Sequence, residues 1–337
     1  MTNANDMPLS ADHRYGGRFR NPWPGSAQHG FGGFIKWMLT RSDGEASTPP
    51  EDRARPTPAA STRPPDRTAD KLTVTWIGHS SFLIQCRGVN MLTDPVWSDR
   101  ASPVSFAGPH RLVPPGVGFE NLPPIDFTLI SHDHYDHLDD STIRRLTARF
   151  PRMKWLAPLR VGDFLRKRGA SDVTELDWWG EHTVSRLSFG CTPAQHFSGR
   201  YPWNRNATLW CGWTVRFDDD TRVFFAGDTG LHPEFEEIAK KFGPFDLGVL
   251  PIGAYEPRWF MRPVHMSPAE AVTALQQLDQ GNSGRCVMVG SHWGTFRLTT
   301  EPVMEPPRRA REAWTAAGLP ADRLWIMSHG ETKKIRA

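Results

Sequence analysis

The sequence has no uninterrupted run of about 18 apolar residues, the length that a helix needs to cross a bilayer, so we expect no membrane-spanning helix. Residues 1–16 are polar and contain no apolar stretch of the kind found in secretory signal peptides. We therefore expect a cytoplasmic protein. The formal net charge of +3 is too small and too dispersed to indicate a nucleic-acid groove, so we expect no nucleic-acid partner.

Cysteine is scarce and follows no motif. The four cysteines are scattered and form no Cys-x-x-Cys pair: Cys86, Cys191, Cys211 and Cys286. This distribution suits a reducing compartment and indicates no thiol nucleophile. We expect the four side chains to be buried as small apolar residues.

Aromatic residues are absent from residues 41–70, where six prolines occur and alanine is the only aliphatic side chain. Such a stretch cannot bury enough apolar surface to offset its ordering entropy, so it is predicted to be a disordered linker. The linker separates a leader, residues 1–40, from residues 71–337, whose length and composition fit one large catalytic domain.

The leader contains a pattern typical of a short amphipathic helix. Its apolar residues are spaced at i, i+3, i+4 and i+7: Phe31, Phe34, Ile35 and Met38. Trp37 and Leu39 widen the apolar face. Two interpretations remain open: the helix docks onto the large domain as ordinary core, or it lies in a membrane interface with Trp37 near the head groups.

Three imidazoles and one carboxylate lie within six positions directly after the apolar run 127–130: His132, His134, Asp136 and His137. A strand that ends in such a cluster aims alternate side chains the same way, so His132 and His134 can bind one ion while Asp136 and His137 face another. Imidazole and carboxylate are ligands for zinc and neighbouring first-row metals, which need about three or four protein donors each. The cluster by itself cannot complete both coordination shells.

Further donors follow later strand-like segments: His196, Asp228 and His292. Taken alone, Asp228 between Gly227 and Gly230 is also typical of an ordinary turn. Together the seven donors predict two metal sites. Three imidazoles would serve one ion, a carboxylate and two imidazoles the other, and one carboxylate would lie between them.

The His-x-His-x-Asp-His motif of residues 132–137 resembles that of the metallo-β-lactamase superfamily. Other segments are similar to the family of N-acyl phosphatidylethanolamine-hydrolysing phospholipase D, and the resemblance covers roughly residues 71–332. These segments are residues 73–80, 92–95, 192–196, 226–230, 242–247, 251–261 and 292–296.

The resemblance implies an α/β fold, a four-layer αββα sandwich, with a dinuclear zinc site whose donors also suit iron or manganese. The implied ligands of one zinc are His132, His134 and His196. Those of the other are Asp136, His137 and His292, and Asp228 is implied to bridge the two ions.

Three further residues near these motifs are candidates for the site. The resemblance matches His265 to an active-site histidine, which can protonate or hydrogen-bond a departing oxygen; a loop histidine bonded to nearby backbone is the alternative. Asp94 is either the acceptor behind a ligand imidazole or part of an Asp-Pro turn. His79 either packs near the site or is a satisfied histidine at a strand end.

The residue chemistry agrees with a hydrolase. Two divalent ions about 3.5 to 4 Å apart can lower the pKa of a shared water to about neutrality and neutralise charge on a phosphoryl oxygen. The resemblance implies a phospholipase D type phosphodiesterase that uses a metal-bridging hydroxide, with Asp228 and His265 as catalytic residues. Its implied reaction converts N-acyl phosphatidylethanolamine, or a related glycerophospholipid, to N-acylethanolamine and phosphatidic acid.

The implied partners are a phospholipid and the membrane surface, bound peripherally, which favours the membrane interpretation of the leader helix. A homodimer is also compatible with the sequence. Tyr135, inside the ligand motif, is a candidate substrate contact, as are Ser105 and Phe106, which stand where animal members of the family carry glutamine and tyrosine.

Two alternative functions remain. A lactonase or a soluble phosphodiesterase on the same scaffold is one, because a scaffold does not determine its chemistry. A membrane-surface binding protein with structural metals is the other. Seven donors argue against the second alternative, since structural zinc sites are usually closed by about four ligands.

Local patterns predict the elements of a two-sheet sandwich covered by helices. Strands are predicted over residues 73–85, 89–93 and 323–328. Helices are predicted over residues 141–150, 232–242, 267–280 and 307–318. The helix at 267–280 has a capping box, with Ser267 as the cap, Pro268 at the first helical position and Glu270 three residues after the cap.

Overall fold

The structure is a computed structural model that describes residues 12–26, 29, 32–33, 36–37, 50–59, 63–68, 72–281 and 284–335. None of the helices in these ranges combines the length and the apolar character that crossing a bilayer requires. The four residues of the predicted amphipathic pattern, Phe31, Phe34, Ile35 and Met38, lie outside the described residues.

The strands, in chain order, are β1 (Arg14–Tyr15), β2 (Arg18–Phe19), β3 (Thr73–Gly78), β4 (Ser81–Cys86), β5 (Val89–Thr93), β6 (Phe127–Leu129), β7 (Lys154–Pro158), β8 (Asp172–Leu176), β9 (Glu181–Val184), β10 (Leu187–Thr192), β11 (Gly212–Arg216), β12 (Arg222–Phe225), β13 (Leu247–Pro251), β14 (Val287–Ser291), β15 (Leu324–Trp325) and β16 (Thr332–Lys334). The helices are α1 (Pro50–Arg53), α2 (Asp140–Arg149), α3 (Gly162–Arg166), α4 (Phe235–Phe242), α5 (Arg258–Met261), α6 (Pro268–Leu278) and α7 (Glu305–Ala316).

The strands form two mixed seven-stranded sheets and one hairpin. The first sheet has the order β16-β3-β4-β5-β6-β7-β8, and the second has the order β15-β14-β13-β12-β11-β10-β9. In the first sheet β5, β6, β7 and β8 run parallel, and in the second sheet β12, β13, β14 and β15 do so. Strands β1 and β2 form the separate hairpin.

The two sheets pack face to face because their strands carry apolar side chains on both faces. Trp76 and Phe82 of the first sheet share one buried cluster with Trp213 and Phe225 of the second. Trp213 also donates its indole Nε1–H to the carbonyl of Ile130 at 2.8 Å. This bond ties the second sheet to the residue just beyond the end of β6.

Helices cover the outer face of each sheet. Ile143 and Leu146 of α2 share a buried cluster with Leu83 and Leu92 of the first sheet. Helix α6 contacts β13 and packs against α4 and α7 on the second sheet. The predicted four-layer αββα sandwich is therefore confirmed, and so is the burial of the four cysteines.

The predicted strand over residues 73–85 is wrong in one respect: it is two strands, β3 and β4. The chain reverses at Gly78 and His79, whose φ angles are 141° and 56°. Glycine adopts positive φ without steric cost, so the turn forms there. The turn directs the His79 side chain away from the sheet.

The other predicted elements differ at their ends. The closing strand comprises only Leu324–Trp325, and the helix predicted from residue 232 begins at Phe235. The capping box of α6 is confirmed, since Ser267 Oγ accepts from the backbone N–H of Glu270 and the Glu270 carboxylate accepts from the N–H of Ser267 at 2.8 Å.

The leader packs onto the large domain over residues 12–26, where the sequence predicted a separate segment. Phe19 and Trp23 are buried in the main core. Trp23 stacks on Trp178 and His232 and donates its Nε1–H to Glu234 at 3.2 Å. The two aromatic side chains supply the apolar area that holds the segment in place.

The predicted disordered linker is also in contact with the domain over residues 50–59 and 63–68. The buried carboxylate of Asp52 pairs with Arg308 at 2.7 Å, and Arg67 binds Asp126 through two nitrogens at 2.6 and 3.0 Å. Asn90 donates to the carbonyl of Asp66. Ion pairs and hydrogen bonds attach these residues, together with the buried rings of Pro56 and Pro64, and the composition of the segment did not indicate these contacts.

Candidate metal centre

All seven predicted donors lie at one end of the sandwich. His132 to His137 follow β6, His196 follows β10, Asp228 follows β12 and His292 follows β14. Each of these strands ends at the same edge of its sheet, so loops from both sheets converge there. The bond from Trp213 to Ile130 holds the two edges together.

Three imidazoles form the first group: His132, His134 and His196. His132 Nε2 lies 2.9 Å from His134 Nδ1, and His196 Nε2 lies 3.2 Å from the same atom. Three nitrogens this close together in a buried site match the donor spacing of a metal ligand set.

A second group contains one carboxylate and three imidazoles: Asp136, His79, His137 and His292. Asp136 Oδ2 lies 2.9 Å from His79 Nε2 and 3.5 Å from the Nε2 atoms of both His137 and His292. The sequence left the place of His79 open. The positive φ at the β3–β4 turn brings its ring against Asp136, so His79 belongs to this end of the molecule.

Asp228 lies between the two groups. Its Oδ2 is 3.1 Å from the Nε2 atoms of both His137 and His292, and 3.8 and 3.7 Å from those of His132 and His196. One carboxylate oxygen therefore faces donors of both groups, as the sequence predicted for a carboxylate between two ions.

The donor set fits divalent metal ions. Asp228 Oδ1, His137 Nε2 and His292 Nε2 are buried and have no hydrogen-bond partner among the described residues. Burial opposes the charged form of His292, but Asp228 and Asp136 outweigh it and raise its pKa to about 9. Burial likewise opposes ionisation of Asp228, but His137 and His292 hold its pKa well below the usual range. In the metal-free site, the buried carboxylates therefore favour protonated imidazoles beside them. A bound metal cation would take the place of these protons and balance the same negative charge.

Residues behind the donors fix the orientation of the imidazoles. Asp94 accepts from Nδ1 of His137 at 2.7 Å, and the carbonyl of Val264 accepts from Nδ1 of His196 at 2.9 Å. With Nδ1 protonated, Nε2 carries the lone pair that can bind a metal on each ring. Of the two interpretations of Asp94, the structure supports the acceptor behind a ligand imidazole.

A cavity of about 610 Å³ opens beside the centre. Apolar and aromatic side chains form much of its wall: Trp37, Phe197, Phe260, Met261, Val264 and Leu298. Arg200 and Arg205 also line it. The Arg200 guanidinium lies 4.0 Å from the centre of the Tyr135 ring and donates to the carbonyls of Asp133 and Leu138.

His265 lies in the cavity wall against the donors. Its ring centre is 5.0 Å from that of His196 and 5.2 Å from that of His292, and its Nδ1 has no hydrogen-bond partner among the described residues. The alternative, a loop histidine hydrogen-bonded to nearby backbone, therefore does not hold for Nδ1 of His265. Burial lowers the pKa of His265 well below its usual value.

The three predicted substrate contacts are not among the described residues that line the cavity. The Tyr135 hydroxyl donates to the carbonyl of Arg200 at 2.8 Å. Ser105 and Phe106 belong to an exposed loop, and Phe106 is 81% exposed. The apolar wall residues carry no motif, so sequence reasoning missed all but Trp37, which it placed on the leader helix.

Part of the leader reaches the cavity rim. The Trp37 ring stacks on Phe260 with centres 5.7 Å apart, and Lys36 lies 4.8 Å from the centre of the Trp259 ring. Of the two interpretations of the leader, the contacts of Lys36 and Trp37 agree with docking onto the large domain.

Comparison with known proteins gives concordant findings. The family model of the Beta-lactamase superfamily domain matches residues 89–293. The N-acyl-phosphatidylethanolamine-hydrolyzing phospholipase D 1 of Caenorhabditis elegans is 43% identical over 257 residues, which are 73% of this chain and 70% of that protein. The mitochondrial N-acyl-phosphatidylethanolamine-hydrolyzing phospholipase D of Saccharomyces cerevisiae is 31% identical over 265 residues, 77% of this chain and 55% of that protein.

Among solved structures, the metallo hydrolase Igni18 from the archaeon Ignicoccus hospitalis superposes with a TM-score of 0.58 at 23% identity. The match covers 80% of this chain and 100% of that one. At this identity the likeness shows the shared fold alone.

Proposed function

The chain belongs to the beta-lactamase superfamily and is a metal-dependent hydrolase, and from this we propose that it is a dinuclear zinc phosphodiesterase of phospholipase D type. Its substrate is N-acyl phosphatidylethanolamine or a related glycerophospholipid. Water cleaves the phosphodiester on the head-group side, and the products are N-acylethanolamine and phosphatidic acid.

The position of Asp228 carries this proposal. Its Oδ2 faces Nε2 atoms of both donor groups at 3.1 to 3.8 Å, which supports a bridging role between two ions. His132, His134 and His196 would hold one ion, and Asp136, His137 and His292 the other. When bound, the ions would supply Lewis-acid stabilisation of the phosphoryl oxygens and activation of a water molecule.

The cavity supports a lipid substrate. Phe260, Met261 and Val264 offer an apolar wall beside the donors, against which an acyl chain can be buried. The Arg205 guanidinium, 4.4 Å from the ring centre of the wall residue Phe197, complements the negative charge of a phosphodiester. A soluble phosphodiester gains nothing from the apolar wall, which is why a lipid is the better fit.

His265 would act on the departing oxygen of the head group. Burial lowers its pKa well below the usual value, so the neutral imidazole is the dominant form. A neutral imidazole can hold its proton at one nitrogen and donate a hydrogen bond to the oxygen as negative charge builds on it. Its place beside His196 and His292 supports this role.

The protein would work in the cytoplasm and bind the membrane surface peripherally. Tyr201 lines the cavity and stacks on Trp203 with ring centres 5.0 Å apart, and these side chains are 48% and 72% exposed. Trp259, 40% exposed, lies next to Phe260 of the cavity wall. Exposed aromatic rings beside a lipid cavity favour contact with the interfacial region of a bilayer.

A product assay tests the proposal. Purified zinc-loaded protein is incubated with N-acyl phosphatidylethanolamine in mixed micelles, and lipid products are identified by mass spectrometry. We expect equimolar N-acylethanolamine and phosphatidic acid. Neither product, together with opening of a lactone substrate, would instead support the lactonase alternative. Wild-type protein stripped of metal by a chelator is the matched control and should release no product.

A further inference from the structure

A second large cleft lies at the opposite end of the sandwich from the metal centre. It has a volume of about 670 Å³ and is lined by the β4–β5 turn, the start of β6 and the β9–β10 turn. The donors follow the other ends of β6 and β10. Because a strand rises about 3.3 Å per residue, Phe127 in the cleft and His132 at the centre are separated by roughly 16 Å.

The mouth of this cleft is strongly basic. Six cationic side chains line it: Arg67, Arg87, Arg149, Arg152, Lys154 and Arg186. The lining carboxylates are Asp126 and Asp218. Cations therefore outnumber anions on the wall, and they come from elements around both sheets.

Most of the lining charges have partners that hold them in position. Asp126 binds Arg67 at 2.6 and 3.0 Å, and Asp218 is shared between Arg87 at 3.3 Å and Arg186 at 3.4 Å. Arg152 differs from them: it is exposed, and its guanidinium makes no ion pair or hydrogen bond to the described residues. Arg186 is 84% exposed at its side chain, and its long contact to a shared carboxylate leaves most of its donors open to solvent.

The floor of the cleft is apolar. Phe127 and Met153 belong to the first sheet and its loops, and Leu187 and Phe217 to the second; all four are buried. Phe127, Leu187 and Phe217 also belong to the core cluster that the two sheets share, so the floor is an edge of that core. A basic mouth above an apolar floor suits a ligand with one charged end and one apolar end.

Like charges that face each other across a cleft with apolar walls focus the electrostatic field and raise the local concentration of anions. Apolar atoms of the same ligand gain free energy by leaving water for the floor. We propose that this cleft binds anionic amphiphiles, a carboxylate or phosphate group carried on an alkyl chain. The anionic group lies at Arg152 and Arg186, and the chain lies against Phe127 and Met153. The site is separate from the metal centre and does not depend on the reaction there.

Calorimetric titration of the full-length metal-loaded protein tests the proposal. The probes are decyl phosphate and decanoate below their micellar concentrations, with decanol as the uncharged control. Both anions are also expected to bind at the metal centre, so the cleft is identified by difference: we expect one saturable site per chain that wild type has and the charge-reversal variant below lacks, with binding of decanol at that site at least tenfold weaker. The tighter of the two anions identifies the natural head group as phosphate or carboxylate.

Charge reversal locates the site. We expect the double variant Arg152→Glu/Arg186→Glu to lower the affinity for the anions at least tenfold, and the neutral variants Arg152→Gln and Arg186→Gln to lower it less. The control is Arg311→Glu, which reverses one charge at an exposed position of α7 and should bind like wild type. Unchanged affinity in the double variant, or equal binding of decanol, would place the amphiphile elsewhere and overturn the proposal.

Discussion

The Nδ1–H of His137 donates to Oδ2 of Asp94 across 2.7 Å, and neither side chain is accessible to solvent. Asp94 also accepts from the backbone N–H of Ser131 at 2.7 Å and from its hydroxyl at 2.5 Å. Three hydrogen bonds thus lock five atoms of three residues together behind the metal centre. The lock leaves Nε2 of His137 facing Asp228 at 3.1 Å.

Replacing Asp94 by alanine should weaken metal binding about 10- to 100-fold, because the His137 ring loses the partner that fixes its tautomer and orientation. The measurement is competition with a chelating dye. Asp322→Ala, which removes an exposed carboxylate outside the site, is the control and should bind metal like wild type. Wild-type affinity in the Asp94 variant would show that the ring is held by other contacts.

Asp228→Asn should abolish turnover and reduce the bound metal from two ions per chain to one or none. Asparagine keeps the shape of the side chain but removes the charge that faces both donor groups. Elemental analysis gives the stoichiometry, and the lipid-product assay gives the rate. A variant that retains two ions and normal turnover would rule out a bridging role.

His265→Ala should lower kcat by about a hundredfold or more, the range of a lost general acid or hydrogen-bond donor, with metal content unchanged. His265→Gln keeps a donor group and should recover part of the rate. His265 also lies within ligand distance of His196 and Asp228. Loss of metal in the alanine variant would therefore make His265 a ligand and contradict the role at the departing oxygen.

Metal affinity should rise with pH up to at least about pH 9. The pKa of His292 in the metal-free protein is raised to about 9, since Asp228 and Asp136 outweigh the effect of burial. An imidazole must lose its proton before it binds an ion, so protons compete with the metal below that pH. Chelator competition between about pH 6 and pH 10 measures the dependence. An affinity that is constant from neutral pH to pH 9 would contradict it.

Trp23→Ala should lower the free energy of unfolding by about 3 to 5 kcal/mol, the usual cost of removing a buried tryptophan from a core. Trp23 is 4% exposed and joins the leader to the main cluster. Trp203→Ala makes the same chemical change at a side chain that is 72% exposed and should shift stability by no more than about 0.5 kcal/mol. Chemical denaturation measures both. Equal stability of the two variants would mean that the leader contributes nothing to the fold.

Local sequence predicted the parts of this protein that depend on neighbouring positions. His132, His134, Asp136 and His137 lie within six residues after a strand, so their spacing alone indicates two ions. The capping box of α6 is equally local, because the cap and its partner are three residues apart. The alternation of strands and helices indicated a two-sheet sandwich covered by helices, and the family resemblance implied its four-layer form.

The boundaries of strands and the contacts between distant segments were harder to predict from the sequence. The break between β3 and β4 depends on positive φ at Gly78 and His79, which the apolar run through residues 73–85 conceals. The contact between the Tyr135 hydroxyl and the carbonyl of Arg200 joins residues 65 positions apart, which no local pattern indicates. The apolar cavity wall carries no motif, since any large apolar side chain can form it.

The sequence by itself determined which side chains can bind metal and the order of strands and helices along the chain, because both follow from residue types at short spacing. Only the tertiary structure decided that His79 and Asp94 join the centre, that Trp23 completes the core and that a basic cleft forms at the far end. Each of these depends on segments distant in the chain that meet through packing of the two sheets. Which side chains meet in this way depends on how the whole chain folds, and short sequence patterns do not contain that information.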